Sequence, residues 1–294
     1  SLAGGTLYIC ATPIGNLSDI TLRVLDVLAG VDFIAAEDTR QTRKLLSHYD
    51  ISANMMSYHE HNKHEAGERI LQLLGEGKDV ALVTDSGMPG ISDPGEDICA
   101  AVIERGLNLQ VVPGPSASLT ALVLSGLSTA RFAFEGFLPR RGQERAQRLE
   151  QLAAEPRTMV IYESPQRVVQ TLEDLGQTLG ESRRCSLSRE LTKKFEETIR
   201  GTIGEVLAQL QDREIRGECV LVVEGRGDGE DSDESGDLLE TRPQLQAMVR
   251  EYAKVLVSQG ASSRDAAKEI AEALGCPWRG IYKLIARTER GEHE

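Results

Sequence analysis

Four consecutive apolar residues, Val80 to Val83, run directly into the loop TDSGMPGISDPG, and this junction constrains the fold more than any other stretch of the chain. An apolar run with no polar alternation reads as a strand covered on both faces, the pattern of a parallel sheet. The loop that follows carries Gly87, Pro89, Gly90 and Pro94, whereas an ordinary βα connection needs only about two to six residues. Long glycine- and proline-rich loops at the carboxyl ends of parallel strands are where open α/β sheets hold ligands. The junction therefore predicts an α/β fold with a ligand site at Asp85 to Gly95.

The same strand, loop and helix order recurs on both sides of it. Leu7 to Ala11 reads as a strand followed by TPIGNLSD, with a helix starting near Ser18 or Asp19 and carrying Ile20, Val24, Leu25 and Leu28 on one face. Val31 to Ala36 is a second strand, ending in EDTR, and Asn62 is placed to cap a helix bearing Ile70, Leu71, Leu73 and Leu74. Ile98, Ala101 and Val102 lie at helical spacing, Leu109 to Val112 forms another strand, and PGPSAS leads into an apolar helix from Leu119 to Leu127. Alternation of this kind predicts a mainly parallel sheet. A second unit offers strands at Phe132–Gly136, Thr158–Glu163, Cys185–Glu190 and Cys219–Glu224, with helices near 143–154, 165–179 and 203–211. Several of these strands lack room for a full crossover, so this half is expected to hold a mixed sheet. The expected division is an N-terminal α/β domain at 1–120, a second at 121–226, an acidic disordered linker at 227–241 and a helical unit at 242–294.

Charge is unevenly distributed. The chain of 294 residues has a net charge of -13, but residues 228–240 alone supply -7 with no base, while residues 241–294 are net +2. The bulk value therefore does not exclude a nucleic-acid partner, which local patches decide. No apolar run approaches the ~20 residues that span a bilayer, and the first residues lack a basic-then-apolar signal pattern. Five cysteines without paired metal spacing, among them Cys99 in a helical pattern and Cys219 in a strand, read as reduced, buried thiols of a cytoplasmic protein.

The turn TPIGN has neither a dinucleotide glycine fingerprint nor a Walker lysine, and Pro13 removes a backbone donor that a phosphate cradle would use. A dinucleotide dehydrogenase is disfavoured, and a rigid turn for a ligand without phosphates remains. His59, His61 and His64 alternate in a polar loop, which reads as solvent exposure, and no metal is expected.

TPIGNLSD, AAEDTR, DSGMPGISDPG, PGPSA, EGFLPR, YESPQR and RELTKKFE occur in that order. Together they resemble the bacterial 16S ribosomal RNA (cytidine-2′-O)-methyltransferases of the tetrapyrrole-methylase superfamily, over nearly the whole of Leu7 to Gly225 and into the helical tail. The resemblance implies two α/β domains with S-adenosyl-L-methionine in the cleft between them, 16S rRNA or the small ribosomal subunit as partner, no membrane, and a homodimer. Carried over by position, Pro13 and Ile14 fall on the first glycine-rich turn, and Gly87, Met88 and Pro89 on the superfamily's Gly-Asp-Pro, with Ile91 beyond. Ser116 and Ala117 match a later ligand-contacting pair, and Tyr162 and Glu218 match positions facing the cofactor from the second domain. Met88 departs from the pattern: it has no carboxylate, so this loop is expected to hold its ligand by backbone shape more than by charge.

Methyl transfer from a sulfonium requires positioning more than charge stabilisation. A carboxylate could assist by taking the proton of a ribose hydroxyl, and the strand ends offer Glu37, Asp38, Glu163 and Glu190. Structural ion pairs account for each of these equally well, and the sequence does not choose among them. Cationic clusters at Arg40, Arg43 and Lys44, at Arg140, Arg141, Arg145 and Arg148, and at Arg167, Arg183, Arg184, Arg189, Lys193 and Lys194 can neutralise RNA phosphates. Arg40, Arg167 and Arg189 are expected to face the substrate. In the tail, Ser263 can cap a helix through Leu274, Gly275 can end it and Pro277 can open another, with Arg279, Lys283 and Arg287 as a stripe. This helix-turn-helix pattern suits RNA contact or a small docking unit alike. A tetrapyrrole C-methyltransferase and a non-catalytic RNA-binding factor are the alternatives on the same fold.

Overall fold

The computed structural model describes residues 4–211, 213–226, 243–274, 281–282 and 284–286. Its first sheet contains β1 (Thr6–Cys10), β2 (Phe33–Ala36), β3 (Asn54–Ser57), β4 (Val80–Val83) and β5 (Asn108–Val112), in the order β3-β2-β4-β1-β5. Every neighbouring pair is parallel. Helices α1 (Leu22–Gly30), α2 (Thr39–His48), α3 (Lys63–Gly75) and α4 (Glu96–Glu104) complete this half. The central strand shows why its sequence has no alternation. Val80 and Leu82 pack with Leu7, Ile9, Ile70, Leu74 and Val102, while Ala81 and Val83 pack on the other face with Val24, Leu28 and Ile34. All four residues of β4 are fully buried.

The local readings that failed did so through cap geometry and weak patterning. The first helix starts at Leu22, because the Thr21 hydroxyl accepts from Val24 N, while Leu17–Asp19 forms a separate 3-10 turn capped by Asn16. Asn62 precedes α3 but does not cap it. Its side chain accepts from His59 N at 2.8 Å and donates to Ser57 O at 3.1 Å, tying down the preceding loop instead. Two elements of this half went unread. Helix α2 buries only Thr42, Leu45 and Leu46, and β3 is an edge strand, NMMS, with exposed ends and a half-buried middle.

Helix α5 (Ala117–Ser125) leads into the second sheet, which contains β6 (Phe132–Phe137), β7 (Thr158–Glu163), β8 (Arg184–Arg189), β9 (Glu197–Thr202) and β10 (Cys219–Val223). The order is β6-β7-β10-β8-β9, with β6 and β7 parallel and the remaining pairs antiparallel. One face of this mixed sheet packs on α6 (Gly142–Ala153), α7 (Val168–Leu179) and α8 (Ile203–Leu210) through Leu152, Leu172, Leu175, Val206 and their neighbours. Its other face covers Ala121 and Leu122 of α5, together with Ile14 from the turn after β1.

Arg145, grouped above with cations suited to RNA, is buried. Its guanidinium meets Asp174 at 2.6 Å, Thr171 Oγ1 at 3.0 Å and Pro139 O at 3.0 Å, locking α6 to α7. Arg148 of the same cluster pairs with Glu135. Removing one partner of a buried, hydrogen-bonded pair leaves the other uncompensated, at a cost of about 3–5 kcal/mol. Arg145→Ala is therefore expected to lower the thermal midpoint by roughly 6–20 °C; an unchanged midpoint in a melting experiment would show the pair to be structurally idle.

A separate unit comprises residues 154–157 and 225–294. Within it α9 (Pro243–Ser258) and α10 (Ser263–Leu274) supply Val249, Ala253, Ala266, Ala267 and Ile270 to a core that Ile281 and Ile285 join. The hydroxyl that accepts from Asp265 N belongs to Ser262, so the cap lies one residue before the expected Ser263. The acidic run at 227–241, and Gly275, Pro277, Arg279, Lys283 and Arg287, lie outside the described residues. Among the described residues no helix is long and apolar enough to cross a membrane, and Cys10, Cys99, Cys185 and Cys219 are free thiols.

Candidate active site

Three loops leave the carboxyl ends of the adjacent strands β4, β1 and β5. The first two are stitched together: Thr12 N donates to Gly87 O at 2.9 Å, Gly87 N donates to Thr12 O at 3.2 Å, and the Thr12 hydroxyl donates to Thr84 O at 3.0 Å. Gly87 has φ +84°, a left-handed conformation that allows this pairing and that side chains adopt at a cost. Opposite the loops stand β6, β7 and β10 of the second sheet. The space between is a cleft of about 850 Å³, within the range of ligand pockets.

Of the nine positions expected to hold a cofactor, Ile14, Gly87, Met88, Ile91, Ser116, Ala117, Tyr162 and Glu218 line this cleft. Pro13 lines a second cavity of about 520 Å³ that adjoins it, sharing Ile14, Ser86, Lys193 and Glu218. Ser116 caps α5, and the Tyr162 hydroxyl is hydrogen-bonded to Ser118; burial pushes its pKa up. Phe134 and Phe137 meet the Tyr162 ring edge-on, with centroids 5.0 and 5.7 Å away, so the second sheet offers an aromatic wall. Neither phenylalanine stood out in the sequence, because both lie on the cleft side of β6, an edge strand that pairs with β7 alone.

The four carboxylates named as proton acceptors fare differently. Glu163 lines the cleft but is consumed by structure, accepting from Ser164 N at 2.8 Å and from Thr171 Oγ1 at 2.7 Å, with Arg167 at 3.7 Å. Asp38 turns away to cap α2 and chelate Arg40, whose hydrogen bonds pull its pKa down to about 2. Glu190 braces Lys193 at 2.9 Å. Glu37 sits behind the β4 loop, accepting from Asp85 N at 3.5 Å, and burial raises its pKa. The loop instead delivers a carboxylate that sequence reasoning did not select. Asp93 lines the cleft, and burial first, then repulsion from Glu37, Asp85 and Glu218, pushes its pKa up to about 7. The loop thus offers the cleft a carboxyl group five residues beyond Met88.

The expected substrate cations are also sorted. Arg40 is 83% exposed while tethered to Asp38 at 2.8 Å. Arg167 occupies the N-cap position of α7 and reaches Pro139 O at 3.4 Å. Arg189 is paired with Glu197 at 2.6 Å. Its place is nonetheless informative: Glu163, Cys219, Arg189 and Glu197 are successive cross-strand partners, forming one row at the cleft end of the second sheet.

Lys193 reaches the shared wall from a turn in which Glu190 (φ +52°) and Thr192 (φ +65°) are both left-handed. A β-branched residue in that region is a genuine outlier, and such strain concentrates at functional sites. The turn packs against Gly15, where an added Cβ would lie 2.5 Å from Lys193 Cγ. Desolvation pulls the Lys193 ammonium down, but hydrogen bonds to Glu190 and Glu218 outweigh it, so the group stays a cation.

Solved structures place this architecture. The diphthine synthase crystal structure superposes with a TM-score of 0.59 at 13% identity, covering 76% of this chain and 90% of its own. Uroporphyrin-III-C-methyltransferase from Thermus thermophilus gives 0.55 at 18%, covering 75% and 94%. The fold is that of the methylases. The sequence profile described as Tetrapyrrole (Corrin/Porphyrin) Methylases matches residues 6–207. Ribosomal RNA small subunit methyltransferase I of Halalkalibacterium halodurans is 44% identical over 280 residues, 95% of this chain and 94% of its own. Its namesake from Escherichia coli O157:H7 is 48% identical over 246 residues, 83% and 85% of the two chains. The chain belongs to the tetrapyrrole methylase family, alongside the proteins named ribosomal RNA small subunit methyltransferase I.

Proposed function

We propose that this protein is an S-adenosyl-L-methionine-dependent methyltransferase that modifies the 2′-oxygen of a cytidine in the decoding region of 16S ribosomal RNA. The observation that carries the reading is the near full-length likeness to relatives whose name specifies ribosomal RNA of the small subunit. The cytidine 2′-oxygen is the finer part of the proposal and rests on the ordered motifs of the sequence.

The cleft suits the methyl donor chemically. The aromatic wall at Phe134, Phe137 and Tyr162 offers a surface for a purine ring. The glycine turns allow close backbone approach, and Asp93 and Glu218 complement a cationic ligand. When bound, S-adenosyl-L-methionine supplies an electrophilic methyl group on a sulfonium centre. The protein's part is to hold the ribose oxygen in line with that group, and positioning of this kind is worth about 7–11 kcal/mol. Formation of the oxygen–carbon bond would be matched by cleavage of the sulfur–methyl bond, leaving a neutral thioether, and the hydroxyl proton must leave as well. Asp93, ionising near neutral pH on the cleft wall, takes it. Lys193, held as a cation beside Glu218, orients the oxygen at the wall shared by the two cavities.

Incubation with methyl-labelled donor and either naked 16S rRNA or small ribosomal subunits tests this reading. Label is expected in RNA from at least one substrate. Label that enters only a tetrapyrrole precursor would replace the proposal with the C-methyltransferase alternative. Absence of donor binding by calorimetry would leave an RNA-binding factor on a methylase fold.

A further inference from the structure

We infer that the 520 Å³ cavity is the acceptor pocket, receiving a single pyrimidine nucleoside turned out of the RNA, with its ribose against the wall shared with the donor cleft. This deepens the reading above and rests on it. The two cavities adjoin and share Ile14, Ser86, Lys193 and Glu218, so a group held in one lies beside a group held in the other. The smaller cavity has the composition a nucleobase needs. Pro13, Leu17 and Leu45 present apolar surface, and Gln41, Thr42 and Asp85 present hydrogen-bonding groups. A carboxylate matches the exocyclic amine of cytosine, which is a donor. Burial raises the pKa of Asp85, and a donated hydrogen bond of this kind would relieve it.

The rim identifies a polyanion as the source of the nucleoside. Helix α2, which forms one side of the cavity, carries Arg40, Arg43 and Lys44 and no acidic residue beyond its cap Asp38, which holds Arg40, and all three cations are exposed. Phosphates on either side of a turned-out nucleotide would lie along such a helix face. A free small molecule would need no such rim. Chemistry on a nucleotide within a structured RNA requires it to leave its stack, and a pocket that takes up the base stabilises that extruded state.

Gln41→Trp and Leu17→Trp test the assignment, since both side chains are surface-accessible at the cavity and neither serves the donor cleft. With the full chain, each is expected to raise KM for RNA at least tenfold while leaving the donor dissociation constant by calorimetry within twofold and the melting midpoint unchanged. Wild-type KM in both variants, or loss of donor affinity in parallel with KM, would overturn the pocket while leaving the methyltransferase reading intact. Methyl-resolved NMR of the wild-type protein with cytidine 5′-monophosphate gives a readout independent of turnover. Shifts are expected at Ile14, Leu17 and Leu45, and their absence there would count against the pocket even if RNA is methylated. Absence of any RNA methylation by the wild-type protein, with donor binding retained, would instead indict the underlying reading.

Discussion

Asp93→Asn is expected to reduce kcat by about 10²–10⁴-fold, the range for loss of a positioned general base, with little change in KM for RNA. The wild-type rate should fall as pH drops through about 7, where Asp93 gains its proton, and this inflection should vanish in the variant. The same substitution is expected to stabilise the fold, in a direction set by linkage. The folded-state pKa of Asp93 lies above its unfolded value, so the fold favours the neutral form. No penalty exists below about pH 4, where the group is protonated in both states; it grows between about pH 4 and 7 and is complete above. Asparagine is neutral throughout, so its gain in melting midpoint over wild type should be larger at pH 8 than at pH 5. Equal activity of Asp93→Asn and wild type at pH 8 would remove Asp93 from the mechanism, and an equal midpoint gain at both pH values would show that its carboxylate is not under strain.

Gly87→Val is expected to weaken donor binding by roughly tenfold or more. An added Cβ would lie 3.6 Å from Ile14 Cγ2, an ordinary contact, so crowding is not the cause. The backbone is the cause: at φ +84° an L-residue costs about 1–2 kcal/mol, and more for a β-branched one. That cost converts at about 1.4 kcal/mol per tenfold in affinity if the loop leaves its conformation to relieve it. The paired hydrogen bonds to Thr12 would be lost with it. Gly87→Asn should be milder, because asparagine tolerates the left-handed region. Calorimetric titration with S-adenosyl-L-methionine decides: unchanged affinity in Gly87→Val would mean that the loop's shape does not define the donor cleft.

How much of this was legible in the sequence differs by element. The apolar run of β4 was clear because burial on both faces leaves an unmistakable pattern. Thr158–Glu163 was read to the residue, since an interior strand must be apolar and its flanks polar. β3 and β9 were missed because partial exposure, as in NMMS, removes the periodic signal. Within the site, positions carried by motif order, such as Ile14, Gly87, Ser116 and Tyr162, converge on one cleft. The charged residues were not legible. Asp38, Glu163, Arg145 and Arg189 all look available in a linear chain, and only packing reveals that each is engaged by a partner. Asp93 was missed for the converse reason: its environment comes first from burial in the folded cleft, and then from Asp85 of its own loop and from Glu37 and Glu218, which are distant in sequence. Two left-handed non-glycine residues before Lys193 leave no compositional trace at all.

The measurement that bears most directly on the central claim is the position of the transferred methyl group. After reaction of 16S rRNA or small subunits with methyl-labelled S-adenosyl-L-methionine, nuclease digestion and mass spectrometry should place the label on the ribose 2′-oxygen of one cytidine in the decoding region. Label on a base carbon or nitrogen, label spread over many nucleotides, or no label in RNA would contradict the account.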